Sequence, residues 1–200
     1  MVVKPRSTLR LVLTAIFLLF NGLPAQAGEP TEAIRAAINQ GIQILKGRDL
    51  SDKDQRDKII DRLRGIVYPL FDFEEMAKRS LGRYWRDLTP EQQREFVTVF
   101  KELLEKTYAD KIDLYKGQKV VFTKETIDDG YAQVDTRVIG LNDQSYSVAY
   151  RLHRINGKWT IYDVVAENIS VVNNYRSQFD RVLARSSFKE LLKIMKEKAA

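Results

Sequence analysis

Apolar residues recur every three or four positions through the first half of this chain. From about Val120 the period shortens to two, and after Ser170 the longer period returns. The first spacing is that of amphipathic helices and the second that of half-buried strands. Thr31 is expected to cap a helix carrying Ile34, Ala37, Ile38, Gly41, Ile42 and Leu45 on one face, stopped at Gly47. Ser51 with Asp54 resembles a capping box for a second helix, whose face is Ile59, Ile60, Leu63, Ile66 and Val67 and which Pro69 ends. Asp72 and Glu75 open a short helix through Ala77, closed by Gly82. The strongest local pattern is Thr89-Pro90-Glu91-Gln92, with Thr89 as cap, Pro90 at the first helical position and Gln92 reaching back. The helix it opens is expected to run to about Lys116, with Phe96, Phe100, Leu103, Leu104, Tyr108, Ile112 and Tyr115 along one stripe.

Val120 to Glu125 then reads as a strand and Asp128-Asp129-Gly130 as a turn. Tyr131 to Ile139 and Ser145 to Ile155 both alternate, and Asn156-Gly157 is the favoured two-residue hairpin turn. Lys158 to Val165 is apolar on both faces, with Trp159 and Ile161 on one and Tyr162 and Val164 on the other. Such a strand is covered on both sides. Ser170 caps a helix bearing Val172, Tyr175 and Phe179, and Ser187 with Glu190 opens a last one bearing Leu191, Leu192 and Met195. Helices, then an antiparallel meander, then helices again make a single α+β domain.

The first 27 residues stand apart. Lys4, Arg6 and Arg10 precede a ten-residue apolar run, Leu11 to Phe20, and Ala25-Gln26-Ala27 follows the breakers Asn21, Gly22 and Pro24. A basic region, a short apolar core and an A-x-A site form a secretory leader, expected to be cleaved after Ala27. The run is well short of the roughly 20 residues that span a bilayer. Removing the leader takes three positive charges from a formal net of +6, so half the basicity belongs to the address. The remainder, 28–200, is expected to be one exported, soluble domain.

Composition narrows the chemistry. With no cysteine and one histidine among 200 residues, disulfide scaffolds, thiol nucleophiles, Cys-ligated zinc and two-histidine metal sites are excluded. No Gly-rich phosphate loop or nucleophile elbow is present. His153 lies opposite the apolar face of its strand and reads as a surface histidine. Asp163, a carboxylate on a strand apolar on both faces, is costly to bury unpaired. It is either the partner of an arginine or a general base. Basic residues alternate with acids, as in Asp52-Lys53-Asp54-Gln55-Arg56-Asp57-Lys58, so no nucleic-acid stripe forms. What is in excess is aromatic surface, dense from Tyr68 to Trp85. Periodicity does not separate a filled core from a ligand cavity.

Three ordered segments stand out: Tyr68-Pro69-Leu70-Phe71-Asp72-Phe73-Glu74-Glu75-Met76-Ala77, Leu81-Gly82-Arg83-Tyr84-Trp85, and Leu88-Thr89-Pro90-Glu91-Gln92. In this order they resemble the MlaC/toluene-tolerance family, periplasmic phospholipid-binding proteins of Gram-negative envelopes. Trp159-Thr160-Ile161-Tyr162-Asp163-Val164 and Ile169-Ser170-Val171-Val172 agree in the second half. The resemblance implies a curved four-stranded, or five-stranded, antiparallel sheet wrapped by N- and C-terminal helices. This is a nuclear-transport-factor-like cone around an apolar cavity. It implies a monomeric carrier without cofactor or metal, trading phospholipid with an inner-membrane MCE-domain/ABC transporter complex and an outer-membrane lipoprotein–porin complex. That traffic would maintain outer-membrane lipid asymmetry; a branch of the family is associated with hopanoids. Alternation and resemblance together nominate Phe71, Phe73, Met76, Trp85, Phe96, Phe100, Val134, Val138, Val148, Tyr150, Tyr162 and Val164 as the cavity lining. Two other readings remain open: an exported enzyme on the same fold with Asp163 as base, and a periplasmic chaperone.

Overall fold

A computed structural model describes residues 28–48, 52–142 and 144–200; the leader and Ser51 lie outside them. Four helices come first: α1 (Glu29–Leu45), α2 (Lys53–Val67), α3 (Phe73–Leu81) and α4 (Pro90–Ala109). An antiparallel sheet follows in sequential order: β1 (Lys119–Asp128), β2 (Tyr131–Ile139), β3 (Ser145–Ile155), β4 (Lys158–Ala166) and the two-residue β5 (Ile169–Ser170). Helices α5 (Val171–Leu183) and α6 (Phe188–Ala199) close the chain. This is the expected α+β arrangement, with the fifth strand present.

Local chemistry accounts for most boundaries. The Thr89–Gln92 capping box is reciprocal: the Thr89 amide donates to Gln92 Oε1 at 2.9 Å and the Gln92 amide to Thr89 Oγ1 at 3.3 Å. Asp52, Asp72, Ser170 and Ser187 each accept from the amide three residues on. Asn156 and Gly157 take φ of 50° and 80°, the left-handed pair that the tight hairpin requires. Gly82 ends α3 at φ 58°, where a Cβ would also lie 3.0 Å from the Arg176 guanidinium. Helix α4 stops at Ala109, short of Lys116, and a 3-10 segment (Asp110–Leu114) takes over.

Thr31 does not cap α1. The helix begins two residues earlier, at Glu29, with Pro30 in its first turn and Gly28 at the cap position. Its amides are met from a distance by Glu125 of β1, which accepts from Gly28 N at 3.0 Å and Thr31 N at 2.8 Å. A bulge explains how Glu125 reaches them. Thr123 is an extra residue between the pairs Phe122–Thr136 and Lys124–Asp135. Beyond it Glu125 falls opposite Val134, on the helix-covered face.

A second bulge corrects the reading of β4. Leu152 pairs with Ile161 but Arg151 with Asp163, so Tyr162 is the extra residue. The alternation resets there. Val164 joins Ile161 and Trp159 on the interior face, packed with Ala132, Val134 and Leu152. Tyr162 turns to the opposite face, where it meets Tyr131 and His153 edge-on.

Two hydrophobic cores result. One is helical, built from α3, α4, α5 and α6 around Phe96, Phe100, Tyr175 and Phe179. The other lies between the sheet and α1, around Val134, Leu152, Ile161 and Ile34. Phe71 packs against both.

Candidate functional site

Phe71 sits at the junction because the segment ahead of α3 is fastened to β4. Phe71 forms a parallel bridge with Ile161, and the Asp72 amide donates to Ile161 O at 2.9 Å, right beside the bulge. Asp72 uses one carboxylate oxygen to cap α3 through the Glu75 amide and the other to bond His153 Nε2 at 3.0 Å. His153 is therefore not the surface histidine expected from alternation. It is partly buried, stacked on Tyr131 and edge-on to Tyr162, and ties β3 to the start of α3.

Fastening that segment fixes one wall of a cavity of about 540 Å³, lying where the two cores fail to merge. Phe71, Phe73 and Met76 come from the α3 side, and Val164 and Val171 from β4 and the start of α5. Leu104, Tyr108, Ile112 and Tyr115 continue the α4 stripe along a second wall. Ile60, Leu63 and Val67 of α2, with Leu45 of α1, form the third. The volume falls within the range of sites for small organic ligands.

Among the described lining residues the charged pair is Arg64 and Glu105, and they bind each other across the gap between α2 and α4. Tyr68 donates its hydroxyl to the same carboxylate. Burial, reinforced by Glu105, pushes the Tyr68 phenol up to about 12. Burial works against the Glu105 carboxylate, but the hydrogen bonds from Tyr68 and Arg64 outweigh it and hold the group below the usual carboxylate range. The Arg64 guanidinium is raised by its bond to Glu105. Lys101 lies 4.0 Å from the centre of the Tyr68 ring, a cation–π contact along the same wall. The two charged lining residues thus neutralise each other in place, and the surface offered to a ligand is otherwise apolar.

Of the twelve nominated residues, four line this cavity: Phe71, Phe73, Met76 and Val164. Phe96 and Phe100 are fully buried in the helical core, and Trp85 packs against it. Val134 is buried in the sheet core, with Tyr150 against it. Val138 and Val148 are half-buried on the same sheet face, paired with Tyr146 and Thr136, outside the lining. Tyr162 is on the far face, under the Arg79 guanidinium.

The walls from α2 and the end of α4 were visible as apolar stripes but indistinguishable from core faces. The sole pointer was length: the α4 stripe runs on past Phe100 through Tyr115, further than one packed helix partner would cover.

Asp163 is structural in its bonding. It accepts from Arg151 Nη1 at 3.2 Å, Ser170 Oγ at 2.7 Å and the Val172 amide at 3.1 Å. It ties β3, β4 and the N-terminus of α5 together. Among the described residues no group of three or more His, Cys, Asp or Glu could hold a metal ion, and no helix is long and apolar enough to cross a membrane.

Residues 35–197 match the family described as MlaC protein. The chain belongs to the MlaC family. Among curated MlaC-type relatives, the toluene tolerance protein ttg2D of Pseudomonas putida is 28% identical over 182 residues, covering 90% of this chain and 85% of its own. The intermembrane phospholipid transport system binding protein MlaC of Haemophilus influenzae is 23% identical over 197 residues, covering 96% and 91%. A solved structure, the phospholipid-binding protein from Ralstonia solanacearum in complex with a phospholipid, superposes with a TM-score of 0.75 at 24% identity. The match covers 86% of this chain and 97% of that one, and it establishes the shared MlaC-like fold.

Proposed function

We propose that this chain is a periplasmic phospholipid carrier that takes acyl tails into the cavity between its two cores. The observation that carries this reading is the apolar wall of Phe71, Phe73, Met76, Leu104 and Val164, whose nearby charges are already paired. The relatives' names, an intermembrane phospholipid transport system binding protein and a phospholipid-binding protein, point the same way.

Transfer energetics make such a cavity sufficient for the task. Two acyl chains carry roughly 30 methylenes, and at about 0.8 kcal/mol each their exposure to water costs more than roughly 20 kcal/mol. A cavity as apolar as the bilayer makes uptake nearly isoenergetic, so the carrier needs no reaction chemistry of its own. Direction then comes from its membrane partners, an inner-membrane MCE-domain/ABC complex and an outer-membrane lipoprotein–porin complex. Traffic between them maintains outer-membrane lipid asymmetry.

Native mass spectrometry of protein taken from the periplasm tests the proposal. Near-stoichiometric diacyl phospholipid is expected. A bare protein mass from gently purified material overturns the reading, and co-purifying polypeptide favours a chaperone. Leu63→Asp places a charge on the α2 wall, where the side chain is only partly buried. The bound lipid should fall several-fold while the far-UV circular dichroism is unchanged.

A further inference from the structure

We infer that the α-amino group liberated by cleavage after Ala27 has a built seat, the carboxylate of Glu125, and that leader removal thereby completes the docking of α1. Three observations meet at Gly28. The first is its partner: Glu125 Oε1 lies 3.0 Å from Gly28 N, while Oε2 takes the Thr31 amide at 2.8 Å. The second is space. A Cβ at position 28 would stand 2.1 Å from Glu125 Oε1 and 2.9 Å from its carboxyl carbon, so any larger residue there would push the carboxylate out of this position. The third is in the sequence, where Ala25-Gln26-Ala27 forms an A-x-A site whose expected cleavage leaves Gly28 as the first residue.

The chemistry of the step is hydrolysis of the Ala27–Gly28 amide by a leader peptidase, with water as co-reactant. It leaves a carboxylate on Ala27 and an ammonium on Gly28. Before cleavage the nitrogen offers one hydrogen and no charge. Afterwards it offers three hydrogens and a positive charge beside a carboxylate. A free ammonium at a helix N-terminus is ordinarily disfavoured by the positive end of the helix dipole. Glu125 offsets both charges at once, which accounts for a carboxylate, rather than a neutral acceptor, just past the bulge in β1. The next residue is seated alongside: Glu29 accepts from Trp159 Nε1 at 3.3 Å and pairs with Arg154 at 3.4 Å. The start of α1 is thereby held to β1 and to the β3–β4 hairpin, and Ile34 and Ile38 are held over the sheet core.

The inference rests on the cleavage site and not on the lipid reading, and the tests separate the two. Intact-mass analysis of the exported protein should give a chain beginning at Gly28; any other start overturns it. Next, purified protein beginning at Gly28 is compared with the same chain extended by Gln26-Ala27, each with and without Glu125→Gln, by urea unfolding. Because charge-assisted hydrogen bonds are about twice as strong as neutral ones, Glu125→Gln should lower the folding constant about ten-fold more in the Gly28-start chain than in the extended one. Equal losses in the two backgrounds overturn the proposal. If Glu125→Gln does not fold, acylation of the α-amino group in unmodified protein decides. It should be several-fold slower in the native chain than in urea, and equal rates overturn the seat.

Discussion

Phe96 with Phe100, and Phe71 with Phe73, are both stacked aromatic pairs, with ring centroids 5.9 and 5.8 Å apart. What surrounds them differs. Phe179 and Tyr175 close around the first pair edge-on, at 5.6 and 5.2 Å, and neither phenylalanine is exposed at all. The second pair has Tyr68 edge-on to Phe73 at 5.3 Å on one side and open cavity along its length. The difference lies in the partner elements. Helices α4, α5 and α6 interdigitate, whereas α2 faces the Phe71–Phe73 pair from across a gap and reaches α4 through the Arg64–Glu105 bridge. Hollow and filled regions of this protein are made of the same residue types.

Truncating one ring from each pair tests that comparison most severely. Phe100→Ala deletes a ring enclosed on all sides, and the loss of transfer energy plus the cavity left behind should cost about 4 kcal/mol. Phe73→Ala removes a ring that lines the cavity. It leaves no new enclosed void and should cost about 2 kcal/mol, with the larger effect on lipid load. Urea denaturation of both variants gives the ratio. Similar losses would mean that the Phe71–Phe73 wall is packed as tightly as the helical core.

Asp163→Asn is the next step down and separates a structural from a chemical carboxylate. The amide keeps one acceptor oxygen but no charge for Arg151 and cannot satisfy Ser170 and the Val172 amide equally. A loss of about 2 kcal/mol is expected, because the group is almost fully buried and its bonds are charge-assisted. Lipid binding should be unchanged. A variant of undiminished stability that has lost an activity would restore the general-base reading.

These variants also mark how far the sequence could be followed. Element type was legible almost throughout, because the capping box at Thr89, the Asp72 cap, the Asn156-Gly157 turn and the change of period are local signals. The two bulges were not legible. An extra residue at Thr123 or Tyr162 has no composition of its own, yet each reverses the faces of everything beyond it. Simple alternation therefore puts Tyr162 on one face with Val164 and turns Glu125 away from α1, and the structure does neither. The cavity was half legible. Phe71, Phe73 and Met76 stood out by density, but a void is a property of facing elements and leaves no mark on either one alone. The burial of His153 is hidden for a similar reason: its partner Asp72 is 81 residues away, and no pattern within β3 announces it.

The smallest effect sharpens the comparison at the bridge that spans the gap. Glu105→Gln keeps the shape of the α4 wall and removes the charge that Arg64 and Tyr68 share. Both members are partly exposed, 35% for Arg64 and 29% for Glu105, so solvent screens them and a loss of about 1 kcal/mol is expected at neutral pH. The pH dependence fixes the cause. The Glu105 pKa is lower in the folded than in the unfolded chain, so its stabilising contribution is present above the unfolded value of about 4.3 and fades as pH falls through the folded one. The wild type and Glu105→Gln should therefore differ at pH 7 and converge in acid, as followed by urea midpoints from pH 7 downward. A difference that persists unchanged at low pH would assign the loss to packing against Tyr68 rather than to charge. The gap between α2 and α4 would then be held open by shape, and the contrast with the helical core would rest on sterics alone.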